Sequence, residues 1–181
     1  NKRYRFSCQL GQTTTTGDTE GEVVKTADFS AITAADIERL LPDFTGDIEQ
    51  IPPMYSALKH NGQRLYKLAR EGIVVERKPR TITIFEIQLH SLQQGIMELE
   101  VSCSKGTYVR TLAEDIGEVL GCGAHISQLR RLSVGPYKGE MVTMQQLEAL
   151  AEQGTHELDH LLLPIESGVA DWPDVRLGAD A

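Results

Sequence analysis

Between residues 3 and 10 polar and apolar side chains alternate, Arg3-Tyr4-Arg5-Phe6-Ser7-Cys8-Gln9-Leu10. A period of two predicts a strand with one buried face. The Thr/Gly-rich stretch 11–21 predicts a loop, and 22–26 a short second strand. Thr33, with Asp36 three residues on, predicts a capping box opening a helix that runs to about residue 41. Paired prolines at 52 and 53 force residues 50–57 into an extended path, because proline lacks an N–H and restrains the residue before it. Residues 64–70 predict a short basic helix closed by Gly72. The runs 81–92 and 96–103 read as paired strands turning near Gln94-Gly95. A helix is expected from 107 to 120, ended by Gly121 and Gly123. After it come a strand near 132–134 and a helix capped by Thr143. This order predicts an α+β fold, with no internal repeat and no low-complexity segment.

The period changes from two to about 3.6 across Cys103-Ser104-Lys105-Gly106-Thr107-Tyr108-Val109-Arg110-Thr111-Leu112, where a strand feeds a helix. Gly106 permits close approach, Thr107 is placed to cap the helix, and Lys105, Tyr108 and Arg110 deliver cations and an aromatic face to one junction. That combination suits a flat anionic ligand such as a nucleotide. It equally fits an ordinary capped helix with a surface arginine.

Net charge is −8, which by itself argues against a nucleic-acid partner. Its distribution changes that picture. From Glu140 onward there are nine acids and one base, Arg176, while the preceding residues are neutral overall. Within them, seven Lys/Arg (59, 64, 67, 70, 77, 78, 80) stand against Glu71 and Glu76. Nearby charges dominate under screening, so a local basic surface can bind phosphates; a solvated helix face has the same composition. No apolar run approaches the ~18–20 residues of a membrane span, and no signal-peptide pattern opens the chain. Cys8, Cys103 and Cys122 lack metal-ligand spacing and read as buried reduced thiols of a cytoplasmic protein. The sequence begins at Asn1 inside a strand pattern, so a piece of a longer protein is expected.

Three collinear blocks carry a family resemblance. The first is Lys2-Arg3-Tyr4 with Leu10-Gly11, Thr14-x-Thr16-Gly17-Asp18 and Gly21. The second is Gly46-Asp47-Ile48-Glu49-Gln50-Ile51-Pro52-Pro53-Met54-Tyr55-Ser56-Ala57-Leu58-Lys59. The third is the 103–112 junction with Leu120-Gly121-Cys122-Gly123-Ala124-His125 and Leu129-Arg130-Arg131. Together they cover about residues 2–145 and resemble the TruB family of tRNA pseudouridine synthases. The resemblance implies a pseudouridine synthase fold, a mixed and largely antiparallel sheet flanked by helices. It also implies isomerisation of uridine 55 in the T loop of tRNA, with no metal or organic cofactor. A cytoplasmic monomer is expected, with the tRNA T stem-loop as partner, no membrane and no obligate protein partner. Residues 1–163 are expected to be part of the catalytic domain. Residues 164–181 are expected to be a linker and the start of a PUA-like RNA-binding domain, on the resemblance of Asp171-Trp172-Pro173-Asp174-Val175-Arg176-Leu177.

A base inside a folded loop must be flipped out to react. By resemblance, Tyr4 stacks on that base; on its own pattern it is equally a half-buried strand tyrosine. By resemblance, Arg110 pairs with the catalytic aspartate and holds it ionised, a task that suits a fixed, permanently charged fork. Tyr108 and Leu129 would complete the pocket wall, unless both are core. Lys105, Lys59 and Arg64 would meet phosphates, and Asp18 is a motif residue that a Thr/Gly loop can also use as a turn carboxylate. The family's nucleophile is an aspartate in a Gly-x-Leu-Asp-x-x-Ala-Thr-Gly type motif, and nothing in this sequence matches it. The isomerisation breaks the C1′–N1 bond and rejoins the sugar to C5, so this chain by itself is expected to lack turnover.

Two other readings remain at this stage. One is a non-catalytic RNA-binding fragment, since phosphate and base contacts need no nucleophile. The other is a zinc metalloprotease through His156-Glu157-x-x-His160, whose spacing on a helix puts two imidazoles on one face. No third ligand follows in the usual extension.

Overall fold

The computed structural model describes residues 1–139, 141–170 and 172–173. Its strands are β1 (Lys2–Leu10), β2 (Gln12–Thr14), β3 (Val23–Thr26), β4 (Gly46–Gln50), β5 (Lys59–His60), β6 (Gln63–Arg64), β7 (Arg80–Gln93), β8 (Ile96–Cys103), β9 (Ala124–Val134) and β10 (Tyr137–Lys138). Its helices are α1 (Ala34–Leu40), α2 (Leu65–Arg70), α3 (Val109–Val119) and α4 (Met144–Gln153). Contacts divide the chain into two units, Asn1–Arg131 and Leu132–Ala181.

In the first unit the sheet runs β9-β1-β8-β7-β4, with β1·β8, β8·β7 and β7·β4 antiparallel. The alternation read from β1 holds. Tyr4, Phe6, Cys8 and Leu10 are buried in one cluster with Leu99 and Val101 of β8, Ile84 of β7, Ile37 of α1, and Leu112 and Ile116 of α3. The opposite face of the sheet carries ion pairs instead: Arg3 with Glu86 and Glu100, Arg5 with Glu98, and His90 with Glu100. One apolar face with helices on it and one wet face is the expected economy of an antiparallel sheet. The three cysteines are free and buried, and the apolar surroundings of Cys8 push its thiol far up, so it behaves as a small hydrophobe.

The Thr33–Asp36 capping box opens α1, and Thr143 with Gln146 opens α4 in the same way. Other expectations need correction. The loop expected over 11–21 contains β2, which pairs with β3. Residues 46–50, given no element from sequence, form β4, whose last residue Gln50 is extended as expected. The strand expected near 132–134 is the end of a longer one that starts at Ala124. Its first three residues are all buried and so show no alternation. Thr107 does not cap α3: its hydroxyl donates to the Ser104 carbonyl, and Tyr108 takes the cap position without a side-chain bond.

A smaller apolar cluster, Met54, Leu65 and Leu68, supports the segment that carries the basic residues. There β5 and β6 form a hairpin about Asn61-Gly62, both at positive φ. Asn-Gly is the strongest short hairpin signal, because both turn positions require that conformation. In the second unit Tyr137 and Lys138 pair with Val134 and Ser133, and α4 follows. Of the segment compared with a following RNA-binding domain, Asp171 and residues 174–177 lie outside the described residues. No helix among the described residues is long and apolar enough to cross a membrane.

Candidate active site

The three sequence blocks meet at one guanidinium. Arg110, in the first turn of α3, donates from Nη1 to Asp18 Oδ2 at 2.7 Å and to the Thr16 carbonyl at 3.2 Å. From Nη2 it donates to the Tyr55 carbonyl at 2.7 Å. Asp18 belongs to the first block, Tyr55 to the second and Arg110 to the third. An arginine has five N–H donors, and these contacts use three, so two remain to hold another acceptor such as a second carboxylate.

Asp18 is itself fixed on all sides. Its Oδ1 accepts from the Thr16 hydroxyl at 2.5 Å and from the Glu20 N–H at 3.1 Å. Burial pushes its carboxyl up, but the bonds from Thr16, Arg110 and Glu20 and the charge of Arg110 outweigh that. The net position is below the ordinary carboxylate range. Asp18 is thus a turn carboxylate, as its loop suggested, and it also holds Arg110, a pairing not expected from the sequence. The loop allows this because Gly17 takes φ +73°, and a Cβ there would lie 2.9 Å from the Glu114 carboxyl carbon. Glu114 lies one turn beyond Arg110 on α3. Burial, then the charges of Asp115 and Asp18, push its carboxyl up, against the opposing pull of Arg110.

The start of α3 has a support that sequence reading missed. Gln50 is 2% exposed, and its amide both accepts from the Tyr108 N–H at 2.8 Å and donates to the Tyr108 carbonyl at 3.1 Å. It does the work expected of Thr107. The side chain of Tyr108 stays half-buried, and Leu129 is 51% exposed, so neither is core. Leu129 lines a cleft of about 250 Å³ with Arg5, Phe6, Ser7, Glu98, Gln128 and Arg130.

Tyr4 is held apart from Arg110's bonding network. It is 8% exposed, at the edge of the core, and the Arg131 guanidinium lies 5.4 Å from its ring centroid. β9 links the two places: Asp18 bridges to Ile126 on β9, and Arg131 lies five residues further along the strand.

Lys105 is exposed in a turn anchored to β7, where Ser104 N–H donates to the Thr83 carbonyl. Lys59 and Arg64 face each other across the β5–β6 hairpin, both exposed. Lys59 also lines a cleft of about 390 Å³ with His60, Arg77, Lys78 and Arg80, with Glu76 as its acid.

The zinc reading fails on geometry. Residues 155–161 form a 3-10 helix, in which positions i and i+4 diverge, and His156 Nε2 sits 3.1 Å from the neighbouring Glu157. No group of metal-ligating side chains is found among the described residues.

Comparison with known proteins agrees with the geometry. The profile of the TruB family pseudouridylate synthase N-terminal domain matches residues 1–109, and that of the tRNA pseudouridylate synthase B C-terminal domain matches residues 110–170. The chain is 52% identical to tRNA pseudouridine synthase B of Nitrosococcus oceani over 99% of its length, and 54% identical to that of Pseudomonas fluorescens over 96%. It spans only 59% and 57% of those two relatives. Among solved structures it resembles a Cbf5-Nop10-Gar1 complex (TM-score 0.66, 24% identity) and an H/ACA RNP bound to a substrate RNA containing 2′-deoxyuridine (TM-score 0.61, 22% identity). Each likeness covers 93% of this chain, and they span 43% and 41% of those chains respectively. At that identity they show the fold alone, a pseudouridine synthase fold. With the profiles matching in order across residues 1–170, the chain belongs to the TruB family of pseudouridylate synthases.

Proposed function

We propose that this chain carries the RNA-binding and base-positioning part of a tRNA pseudouridine synthase acting on uridine 55 of the T loop. The observation that supports this reading most directly is the convergence of three motif blocks on Arg110 through Asp18, Thr16 and Tyr55. A guanidinium immobilised in that way orients an incoming carboxylate and favours its ionised form, because a fixed positive fork faces it. In the reaction the N1–C1′ bond breaks, the base turns, C5 bonds to C1′, and the proton on C5 leaves as N1 gains one. The carboxylate that starts this sequence is not part of this chain's sequence, so the chain by itself binds without turnover.

In this reading Arg110 and Tyr4 are the catalytic-site residues, Tyr4 through its ring against the base. Asp18 has no free oxygen for RNA and acts by fixing Arg110. Tyr108 and Leu129 wall the pocket, while Lys105, Lys59 and Arg64 meet phosphates. The whole protein works as a cytoplasmic monomer on the tRNA T stem-loop without metal or cofactor. Residues 1–163 belong to its catalytic domain, and 164–181 lead into a PUA-like RNA-binding domain.

The test is a T stem-loop RNA labelled with tritium at C5 of its uridines, mixed with the purified chain. Saturable, salt-sensitive binding without tritium release is expected, and Arg110→Ala with Lys105→Ala should weaken that binding. Tritium release by this chain would remove the claim that it lacks the nucleophile. Absence of RNA binding by the folded chain would remove the functional reading.

A further inference from the structure

We infer that Arg131 is a gate on Tyr4. Its guanidinium covers the ring in the free protein and moves to a phosphate of the flipped nucleotide when the base arrives. This inference rests on the reading of Tyr4 as the residue that stacks on the base.

Three observations lead to it. Tyr4 is 8% exposed and packs in the core cluster with Phe6, Val101 and Leu112, so little of its ring remains for a ligand. Arg131 takes that remaining side, with its guanidinium carbon 5.4 Å from the centroid. A uracil stacked on the ring needs the same space, so the two cannot occupy it together. Arg131 is an exposed residue on β9, and among the described residues no carboxylate lies within ion-pair distance of it. Alternation along β9 places Leu129 on the same side as Arg131 and turns Arg130 to the other face.

Arginine suits this double duty because its planar cation both stacks on aromatic rings and binds phosphate oxygens. An exposed cation–π contact favours the covered ring only about two- to fivefold. The phosphates of an RNA at the pocket mouth compete easily with that. The gate keeps the ring covered until a phosphate backbone is present, coupling exposure of the stacking face to RNA arrival.

The experiment uses the full chain and a T stem-loop RNA carrying pyrrolocytidine, a fluorescent pyrimidine quenched by stacking, at the target position. Stopped-flow quenching reports the base reaching Tyr4, and titrations at several salt concentrations report phosphate contacts. Arg131→Ala should quench about three- to sixfold faster, since the ring starts uncovered. It should bind about five- to eightfold more weakly at 0.1 M salt, with the log–log salt slope reduced by about 0.7–0.9. Arg131→Lys should keep the salt slope, because its charge remains, yet quench as fast as the alanine variant, because it stacks poorly. Tyr4→Leu should bind RNA without quenching.

If both Arg131 variants quench no faster than wild type while Tyr4→Leu still loses the quench, the gate is wrong and the Tyr4 reading survives. An unchanged salt slope in Arg131→Ala would equally overturn the gate. A quench that persists in Tyr4→Leu would overturn the reading of Tyr4 together with the gate.

Discussion

Replacing Asp18 with asparagine isolates the charge that holds Arg110. The asparagine keeps an oxygen for the Thr16 hydroxyl and the Glu20 N–H, but opposes Arg110 Nη1 with a neutral amide. The two side chains are 27% and 22% exposed, so the pair lies between two regimes. An exposed pair is worth ~0–1 kcal/mol, and breaking a buried one costs ~3–5 kcal/mol. For a charge-assisted bond in that intermediate setting we expect Asp18→Asn to lose about 1.5–3 kcal/mol at neutral pH. Acid supplies an independent check. The folded carboxyl lies below its ordinary value, so its stabilisation is fully present above the unfolded pKa of ~4 and disappears as pH falls through the lower folded value. Urea unfolding of wild type and Asp18→Asn from neutral pH into acid should therefore give two stability curves that start to approach below the unfolded value and meet once pH has fallen through the lowered folded value. Adding Arg110→Met and the double variant closes a cycle with a coupling of about 1–2 kcal/mol. A gap between wild type and Asp18→Asn that stays constant into acid would show that the carboxylate charge is not its source. A coupling under about 0.3 kcal/mol would show that Arg110 is not its partner.

The remaining predictions concern the supports of the same site. Gly17→Ala places a Cβ against the Glu114 carboxyl at a positive φ, and should cost about 1–2 kcal/mol in chemical denaturation. Adding Glu114→Ala should return only the steric part of that loss. Gln50→Leu strands the Tyr108 N–H, while the Tyr108 carbonyl keeps its bond from the Leu112 N–H, and should cost about 1–3 kcal/mol, with weaker RNA binding because the start of α3 loosens. Asp115 is pushed up to about 6, by burial first and then by the charge of Glu118. A raised carboxyl contributes stability below its unfolded pKa and loses it as pH rises through the folded value, so wild type should weaken between about pH 4 and pH 6.5. Asp115→Asn should flatten that slope and, after discounting for partial exposure, gain about 1 kcal/mol at pH 7.5 but nothing at pH 4.

The parts of this fold written in local patterns were readable from sequence. Alternation gave away β1 with its buried Tyr4, Phe6 and Cys8, the Thr33–Asp36 box marked α1, and Thr143 marked the start of α4. The parts set by tertiary contact were not. β2 is three polar residues whose partner strand lies beyond a turn-rich loop, and its identity comes from pairing rather than composition. The first residues of β9 are buried on both sides, so period two is erased there. Gln50 gives no signal in a strand of polar residues, yet its amide takes the place at α3 that local reading assigned to Thr107. The Asn61-Gly62 hairpin is different, since the dipeptide itself announces the turn and could have been read. At the site, a carboxylate partner for Arg110 was implied by the family resemblance and not by its own spacing, which fitted a surface arginine equally well. Its partner 92 positions away, Asp18, follows only from the fold.

The acidic net charge and the affinity for RNA proposed here are compatible because of where charges in the first unit are spent. On the open face of the sheet, Arg3 and Arg5 are consumed by Glu86, Glu98 and Glu100, so that face presents paired charge. Arg110 spends three of its five donors on Asp18 and two carbonyls, and its charge is already opposed by a carboxylate, so it adds little to a surface for phosphate. None of the seven bases between Lys59 and Arg80 takes part in an ion pair among the described residues, and six of them are exposed. A Debye length of ~10 Å confines each charge to its neighbourhood, so a phosphate at the β5–β6 hairpin responds to these unspent cations and not to the chain's total. The molecule therefore separates two tasks that both call for arginine and lysine. In the proposed reading the half-buried guanidinium of Arg110 is kept for the pocket, and the mostly exposed cations on the hairpin, on α2 and after it, outside any ion pair among the described residues, are left for the RNA backbone.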